Sequence, residues 1–335
     1  MKIKNAFLSR LLSCCLLLAL VFTSGVGVIS ANAAEAIDTG SSISLMETTQ
    51  TESTFASKNQ ITGEETFYNL YNNGVMVDLS EEAEMAAMSS DETTKTDAPY
   101  FPMTSTEVMS ISENSVQPNS LIGDDNRSRI TATTTYPYSA VCHITITWPD
   151  GTSSVGTAWM YWEDVAITAG HCVYSADHGG WATSIQVRPG ANGTSSPYGV
   201  VYSTTIHTST KWIEDSNWEY DYGVIELSSD IGNSTGWFGT SWTIWSLKGT
   251  DVTITGYPGE YYRQMWTMSG EITKSATRKV YYNAIDTTGG QSGSPIYDSD
   301  YYVVGIHAYS EGSYGNSGTR ITSSLFDFFH SFREE

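Results

Sequence analysis

The stretch Thr287-Thr288-Gly289-Gly290-Gln291-Ser292-Gly293-Ser294-Pro295 places a serine among glycines and small side chains. Such residues let a backbone turn sharply and aim its N–H groups at a ligand. A serine hydroxyl is a weak nucleophile near pH 7, so it needs a base and hydrogen-bond donors for the oxyanion that it creates. Ser292 is therefore the candidate nucleophile, and the backbone N–H groups of Gly290 and Ser292 are the candidate oxyanion donors. Taken alone, the stretch is equally consistent with a Gly/Ser-rich surface loop.

Two upstream motifs contain the partners that such a serine needs. His171 ends the segment Ala166-Ile167-Thr168-Ala169-Gly170-His171, and Asp221 lies in Tyr220-Asp221-Tyr222-Gly223, where two tyrosines can bury it. A buried aspartate fixes the tautomer of a histidine base and stabilises its protonated form. The chain order histidine, aspartate, serine is that of chymotrypsin-like proteases and not of α/β-hydrolases or subtilisins. We therefore predict that His171, Asp221 and Ser292 form a catalytic triad.

The sequence resembles the secreted bacterial glutamyl endopeptidases, a branch of the chymotrypsin-like serine proteases. Six segments between residue 120 and the C-terminus carry the resemblance: Ser120-Leu121-Ile122-Gly123, Thr168-Ala169-Gly170-His171-Cys172, Tyr220-Asp221-Tyr222-Gly223, Gly256-Tyr257-Pro258-Gly259, 286–295 and Gly318-Thr319-Arg320-Ile321-Thr322. The resemblance implies a secreted, extracellular serine endopeptidase that hydrolyses peptide bonds after Glu and, less well, after Asp. It also implies two six-stranded antiparallel β-barrels, with His171 and Asp221 on the first and Ser292 on the second.

Three residues are the predicted substrate-binding residues. His307 lies fifteen residues after Ser292 and Thr287 lies five residues before it, and the resembled family has its specificity histidine and threonine at these spacings. An imidazole and a hydroxyl can each donate a hydrogen bond to a substrate carboxylate. Without the resemblance, His307 is better explained as a strand histidine with a structural hydrogen bond. The resemblance places the mature N-terminus at Ser120, whose α-amino group is charged near pH 7 and helps to neutralise that carboxylate. We expect no pocket acid of the kind found in Arg/Lys-specific relatives.

The chain divides into three parts by composition. Residues 1–33 have a basic start, a short apolar run and an Ala-x-Ala site, which predicts a signal peptide. Residues 34–119 hold 15 acidic residues against two basic ones. This part is interpreted either as a disordered solvating tail or as a pro-segment that keeps the protease silent, and the second is favoured. Residues 120–335 are rich in Trp, Tyr and Gly and form the predicted catalytic domain.

The catalytic domain is predicted to be all-β, with a helix at its C-terminus. Short β-rich runs separated by turn residues are typical of sandwiches and barrels. Apolar residues recur at helical spacing only near the end of the chain. We place the N-terminal barrel at about 135–240, the C-terminal barrel at about 241–320 and the helix at about 321–332. The predicted strands lie at 140–148, 155–161, 184–187, 223–227, 252–256, 279–285 and 302–307.

Two cysteines, Cys142 and Cys172, remain after removal of the predicted signal peptide. Relatives commonly join the cysteine after the catalytic histidine to one on the preceding strand, near residue 156, but no cysteine stands there. We therefore predict a Cys142–Cys172 disulfide as a substitute, since exported chains oxidise such pairs where geometry allows. No cluster has zinc-ligand spacing, so neither a metal nor another cofactor is expected. The four histidines without a motif are predicted to be surface or core-edge residues: His143, His178, His207 and His330.

The charge balance limits the partners. The net charge is −21, and no basic patch is available to pair phosphates, so nucleic acid is not expected as a partner. No stretch after the signal peptide is long and apolar enough to span a bilayer. The expected partners are protein or peptide substrates and an activating protease, and we expect a monomer. Two alternatives remain: a chymotrypsin-like protease with another P1 preference, and a catalytically inactive homologue that acts as a binding module.

Overall fold

Strands are the most abundant regular element of the described chain, as the recurrence of short β-branched and aromatic runs predicts. The structure is a computed structural model, and it describes residues 54–69, 71–72, 75–76, 93–102, 111–112, 121–122, 124–311 and 315–333. The predicted signal peptide and Ser120 lie outside the described residues.

The strands are numbered in chain order. The first twelve are β1 Phe55–Asn59, β2 Glu65–Tyr68, β3 Tyr71–Asn72, β4 Val75–Met76, β5 Thr94–Asp97, β6 Ile111–Ser112, β7 Ser128–Ile130, β8 Val141–Thr147, β9 Ser153–Met160, β10 Val165–Thr168, β11 Tyr174–Ser175 and β12 Gly180–Trp181. The rest are β13 Ser184–Pro189, β14 Val201–Ser209, β15 Gly223–Leu227, β16 Gly239–Thr243, β17 Asp251–Gly256, β18 Met265–Glu271, β19 Lys274–Ser275, β20 Lys279–Tyr282, β21 Pro295–Tyr297, β22 Tyr302–Ser310 and β23 Asn316–Arg320. Three α-helices, α1 Thr210–Asp215, α2 Gly232–Thr235 and α3 Ser323–His330, complete the described set.

Six antiparallel strands close the first barrel. They follow the order β13, β8, β9, β10, β15, β14, and β14 pairs back onto β13. The β8–β9 hairpin reverses at a turn where Gly151 takes φ +81° and the Asp150 carboxylate accepts the N–H of Thr152 at 2.8 Å. β10 is apolar but for its last residue and buried along its whole length, so it lies between two neighbours as a central strand.

The second sheet is a half-barrel that does not close within the described residues. Its path runs β19, β20, β23, β22, β21, β17, β18, β7 and β6, and β16 joins it by pairing in parallel with β22. β18 pairs on one side with β17 and on the other with β7, which precedes the first barrel in the chain. The prediction of an all-β fold of chymotrypsin type is confirmed, although the second barrel is open. Each of the seven predicted strands overlaps an observed strand.

Part of the predicted pro-segment is folded against the protease domain. β1 pairs with β14 along its whole length and extends the first sheet by β1 and β2. Phe55 on β1 is fully buried, and its ring stacks on that of Phe328 in α3 at 4.1 Å. On β5, the buried Asp97 accepts a hydrogen bond from the Tyr161 hydroxyl at 2.6 Å and contacts His330 Nδ1 at 2.8 Å. For the described residues of this segment, the interpretation as a disordered tail is therefore wrong.

The C-terminal helix is shorter than the predicted 321–332. α3 begins after Thr322, whose side-chain oxygen accepts the N–H of Leu325 at 3.3 Å, and a 3₁₀ turn, Ser331–Arg333, follows it. Its apolar side chains, including Leu325 and Phe329, are buried in the larger of two hydrophobic cores, which also contains the interior of the first barrel. No helix among the described residues has both the length and the apolar character needed to cross a membrane.

Replacing Phe55 by alanine should destabilise the precursor by about 3–5 kcal/mol, because the change removes a fully buried ring and leaves a cavity against Phe328. Phe67→Ala on β2 is the matched control, because that ring is 53% exposed and its loss should cost less than about 0.5 kcal/mol. Urea unfolding of the precursor carrying Ser292→Ala, which prevents self-digestion, measures both. Equal effects of the two changes would show that β1 does not pack into the protease core.

Candidate active site

The loop that carries Ser292 is a succession of tight turns. Gln291 N–H donates to the Thr288 carbonyl at 3.0 Å, and Ser294 N–H donates to the Gln291 carbonyl at 3.0 Å. Gly290 takes φ +94°, and a Cβ there would lie 2.6 Å from the backbone nitrogen of Gly259. Only glycine combines this left-handed backbone with so close an approach.

The turns leave the two predicted oxyanion donors without an acceptor. Among the described residues, no group accepts a hydrogen bond from the N–H of Gly290 or of Ser292. The carbonyl of Gly290 is occupied, since it accepts from the Thr157 hydroxyl at 2.9 Å. Two N–H groups close together in the chain and free of internal partners can bind a developing negative oxygen.

His171 and Asp221 form a direct pair at the end of the first barrel. His171 lies in a 3₁₀ turn after β10, and Asp221 lies just before β15, which pairs with β10. Asp221 Oδ2 contacts His171 Nδ1 at 2.7 Å, and its Oδ1 accepts the His171 N–H at 2.8 Å. A Cβ at Gly170 would lie 3.0 Å from the same Oδ1, so the glycine leaves room for the carboxylate. The carboxylate is fully buried, which holds the imidazole in one orientation.

The pair shifts the pKa values of both groups. Burial lowers the pKa of the His171 imidazole, but the charge and hydrogen bond of Asp221 outweigh burial and hold the pKa well above its usual value of 6.5. Burial raises the pKa of Asp221, but the charge of His171 and hydrogen bonds from His171 and Tyr309 leave the pKa below its usual value. An anionic carboxylate beside an imidazole that readily takes a proton is suited to general-base chemistry.

The described contacts place Ser292 beside His171 without joining the two side chains. The Ser292 carbonyl accepts the N–H of Thr157 on β9 at 2.9 Å and lies 4.0 Å from the sulfur of Cys172, the residue after His171. No hydrogen bond links the Ser292 hydroxyl to the imidazole among the described residues. Such bonds are often long in free enzymes and tighten when substrate binds. The structure thus brings the three predicted triad residues to the place where the first barrel meets the second sheet.

Two aromatic residues that sequence reasoning missed also line this place. The Tyr309 ring on β22 lies 6.0 Å from the His171 ring, and the Trp212 ring on α1 lies 6.3 Å from it. Burial, followed by the negative charge of Asp221, raises the pKa of the Tyr309 hydroxyl, so this group stays a hydrogen-bond donor. No sequence motif marks either residue, because their role depends on where β22 and α1 pack.

The predicted specificity residues are close to the serine loop. His307 on β22 is buried, and its backbone pairs with the loop: Gly293 N–H donates to its carbonyl at 2.8 Å, and its N–H donates to Ser294 at 2.9 Å. Its Nδ1 contacts the Tyr282 hydroxyl at 2.5 Å. Burial and the charge of His171 lower the pKa of His307 to about 3, so its ring is neutral. Thr287 is also buried, and Ser120 falls outside the described residues.

An acid, Asp286, directly precedes Thr287 in the chain, and its carboxylate is engaged by backbone groups. Asp286 is 2% exposed, and its two carboxylate oxygens accept the backbone N–H groups of Ile122 at 2.8 Å and Asn126 at 3.0 Å. These bonds commit the carboxylate to the segment that precedes the first barrel. The sequence shows Asp286 directly before Thr287. It does not show that Ile122 and Asn126 are the hydrogen-bond partners of Asp286, because they lie far away in the chain.

The predicted Cys142–Cys172 disulfide is wrong in this structure, where both cysteines are buried free thiols. Cys172 Sγ lies 3.1 Å from where a Cβ at Gly156 would stand, so it faces the strand position that lacks a cysteine. On β8, Ile144 is the residue opposite Gly156, whereas Cys142 is two residues away, or about 7 Å along the strand. Cys142, the predicted substitute partner, is therefore out of register with the position that Cys172 faces.

The remaining histidines have local contacts away from the serine loop. His178 contacts Asp150 and His207 contacts Glu226, while His143 is buried against the ring of Tyr257. In the described part of the chain, no group of three or more His, Cys, Asp or Glu residues could hold a metal ion.

Comparison with known proteins agrees with this geometry. The profile of the trypsin-like peptidase domain matches residues 156–306. A glutamyl endopeptidase of Bacillus licheniformis is 45% identical over 221 residues, which cover 62% of this chain and 67% of the relative. An extracellular metalloprotease of Bacillus subtilis is 40% identical over 219 residues, which cover 63% and 69%. A solved structure of a Glu endopeptidase in complex with MPD has a TM-score of 0.58 at 29% identity and covers 64% of this chain and 99% of that one.

The trypsin-like peptidase domain and the similarity to glutamyl endopeptidases make the chain a serine endopeptidase. Within that class it belongs to the family of the bacterial glutamyl endopeptidases, since it aligns with two thirds of a member at 45% identity.

Replacing Asp221 by asparagine should lower the pKa of His171 by removing the negative charge that raises it. The neutral imidazole is the base, so kcat/KM of the unmodified enzyme should rise with pH through an apparent pKa above 6.5. In the variant this limb should move to lower pH, and kcat on the alkaline plateau should fall on the order of 10⁴-fold. Asp215→Asn, an exposed aspartate in α1, is the matched control and should change neither quantity. An unmoved acid limb in Asp221→Asn would show that Asp221 does not set the protonation of His171.

Proposed function

We propose that the chain is a secreted endopeptidase that cleaves after Glu, and less well after Asp, with His171, Asp221 and Ser292 as its triad. The observation that carries the proposal is the 2.7 Å contact between His171 Nδ1 and the buried Asp221 carboxylate. Beside it lies a serine loop with two N–H groups that have no acceptor among the described residues. The signal-like N-terminus and the similarity to the extracellular metalloprotease of Bacillus subtilis support secretion.

Each group has one role in the proposed reaction. His171 Nε2 takes the proton of the Ser292 hydroxyl as the oxygen attacks the scissile carbonyl, and Asp221 stabilises the imidazolium that forms. The N–H groups of Gly290 and Ser292 bind the oxyanion of the tetrahedral intermediate. His171 then gives the proton to the leaving amine, which releases the first product and leaves an acyl group on Ser292. Water activated by the same base hydrolyses this ester and restores the serine.

Glu preference is supported by the chemistry around His307. The ring is buried and neutral, and its Nδ1 contacts the Tyr282 hydroxyl at 2.5 Å. The tautomer in which this hydroxyl donates to Nδ1 has the ring proton on Nε2. That N–H, together with the hydroxyl of Thr287, can donate to a substrate carboxylate. Asp286, the residue before Thr287, is engaged by two backbone N–H groups and does not offer a counter-charge for Arg or Lys. A chymotrypsin-like protease with another P1 preference would keep the triad and differ only in the roles of His307 and Thr287.

His307→Ala should reduce kcat/KM for a Glu substrate about 10- to 150-fold, since a hydrogen bond to a charged group contributes about 1.5–3 kcal/mol. The loss for a matched Ala substrate should be much smaller. Digestion of a peptide library, with sequencing of the products, measures the preference directly. His178→Ala, a half-exposed histidine far along the chain from the loop, is the control and should behave like the unmodified enzyme. Equal losses on both substrates would assign His307 to the fold and not to selectivity.

In the same assay, two serine variants test whether Ser292 is the nucleophile. Ser292→Ala should remove nearly all cleavage, a loss on the order of 10⁶ in kcat. Ser294→Ala should retain substantial activity, because that hydroxyl is buried and donates to the Gln291 carbonyl at 2.6 Å. The reverse result would show that the wrong serine has been chosen. A library left uncut by the unmodified protein would favour the alternative of an inactive binding homologue.

Activation is proposed to depend on a new N-terminus at Ser120, produced by another protease because residue 119 is Asn and not Glu. Ile122 N–H is bound by Asp286, the residue before Thr287. Two residues of chain span at most about 7 Å, which keeps an α-amino group at Ser120 within that distance of Ile122; we propose that this group pairs with the carboxylate of a bound substrate. That group is charged near pH 7, and it does not exist before cleavage.

Protein that begins at Ser120 should therefore cleave Glu substrates faster than protein that begins several residues earlier, by at least about tenfold, the effect of one charge-assisted hydrogen bond. Both forms are made by site-specific cleavage of the full precursor, and their N-termini are sequenced. Their activity on an Ala substrate serves as the control and should be equal. Equal activity of the two forms on Glu substrates would show that the N-terminus plays no part in the specificity pocket.

A further inference from the structure

We propose that a clasp formed by Ile122, Asp125, Asn126 and Arg127 positions the oxyanion loop 286–291 for catalysis. The clasp lies directly after the predicted maturation site and holds both ends of the loop. The proposal rests on the proposed function only in taking the N–H groups of Gly290 and Ser292 as the oxyanion donors.

The start of the loop is held through Asp286. Its carboxylate oxygens accept the N–H groups of Ile122 and Asn126 at 2.8 and 3.0 Å. The side chain is 2% exposed, so water does not compete for these bonds. A buried carboxylate needs such donors, and the loop cannot leave this position without exposing or stranding the charge.

The end of the loop is held through Arg127. One guanidinium nitrogen donates to Gln291 Oε1 at 2.6 Å and to Thr288 Oγ1 at 2.8 Å. The other terminal nitrogen donates to Asp125 and to Glu260, each at 2.9 Å, and Nε donates to Asp125 at 2.9 Å. The guanidinium is fully buried and forms ion pairs with both carboxylates. A planar fork with fixed donor directions restricts its partners more than a flexible ammonium would.

Through its contact with Gln291, Arg127 can position both oxyanion donors. Gln291 stands between Gly290 and Ser292, and the N–H of Ser292 belongs to the peptide plane that joins it to Gln291. The same Gln291 Oε1 also accepts the N–H of Thr288 at 3.0 Å, so the side chain ties the loop to itself and to Arg127. A shift of Gln291 therefore turns the peptide planes that must face the oxyanion, and a misplacement of about 1 Å can cost about 100-fold in rate.

The test compares Arg127→Met, Arg127→Lys and Gln291→Met with the control Arg129→Met, all in the full chain after processing. Arg129 lies two residues further along on β7 and contacts Asn192, not the loop. Diisopropyl fluorophosphate labels the serine without a P1 side chain, so its labelling rate reports the nucleophile and oxyanion donors alone. Activity assays add kcat and KM separately, and thermal unfolding reports stability.

We expect Arg127→Met and Gln291→Met to lower the labelling rate and kcat by about 100-fold, with KM changed less than about threefold. The labelling rate and kcat of Arg127→Lys should lie between those of these variants and those of the unmodified enzyme, because lysine keeps the positive charge and lacks the planar guanidinium. Arg129→Met should match the unmodified enzyme.

A lowered melting temperature with unchanged labelling rate and kcat would show a purely structural role and overturn the proposal. If Arg127→Met does not fold, Gln291→Met decides, because it leaves the ion pairs of Arg127 intact. An unmodified enzyme that is labelled but shows no Glu preference would overturn the proposed specificity and leave the comparison among the variants valid.

Discussion

The buried carboxylate of Asp221 is the constraint on which the rest of the structure depends. A charge removed from water must be fully paired, and here the partners come from both halves of the fold. His171, after β10, contributes a ring nitrogen and a backbone N–H. From the second sheet, the Thr319 hydroxyl donates to the Asp221 backbone carbonyl at 3.1 Å, and the Tyr309 hydroxyl lowers the pKa of the Asp221 carboxyl. Satisfying this one residue therefore requires the barrel and the second sheet to meet.

The serine loop is subject to a different constraint, which is the small space between its backbone and its neighbours. Gly290 and Gly293 both take positive φ, and a Cβ at Gly293 would lie 2.1 Å from the Thr157 carbonyl oxygen. The backbone of the loop passes so close to β9 that side chains are excluded. Among the described residues, the resulting turns leave the N–H groups of Gly290 and Ser292 without an internal acceptor, so both are available to a ligand.

The acidic leader connects folding and activity in a way that its composition does not reveal. High charge and few apolar residues predict disorder, yet Phe55 is fully buried against Phe328 and Asp97 is buried beside Tyr161. Composition averages over the segment, whereas a single strand with one or two anchoring residues is enough to extend the edge of a sheet. The clasp around Arg127 lies between this leader and the barrel in the chain, so the proposed processing site before Ser120 is close in sequence to the residues that contact the oxyanion loop.

The sequence by itself determined the fold class and the chemical groups of the site. Short alternating runs predict strands wherever they occur, and the motifs around His171, Asp221 and Ser292 are local, so their residue types and order can be read directly. Only the tertiary structure decided which groups meet. The register of β8 against β9 separates Cys142 from Cys172, and the packing of a distant segment brings Arg127 to Gln291. Such contacts join residues far apart in the chain, and their formation depends on strand register and packing, which no local pattern encodes.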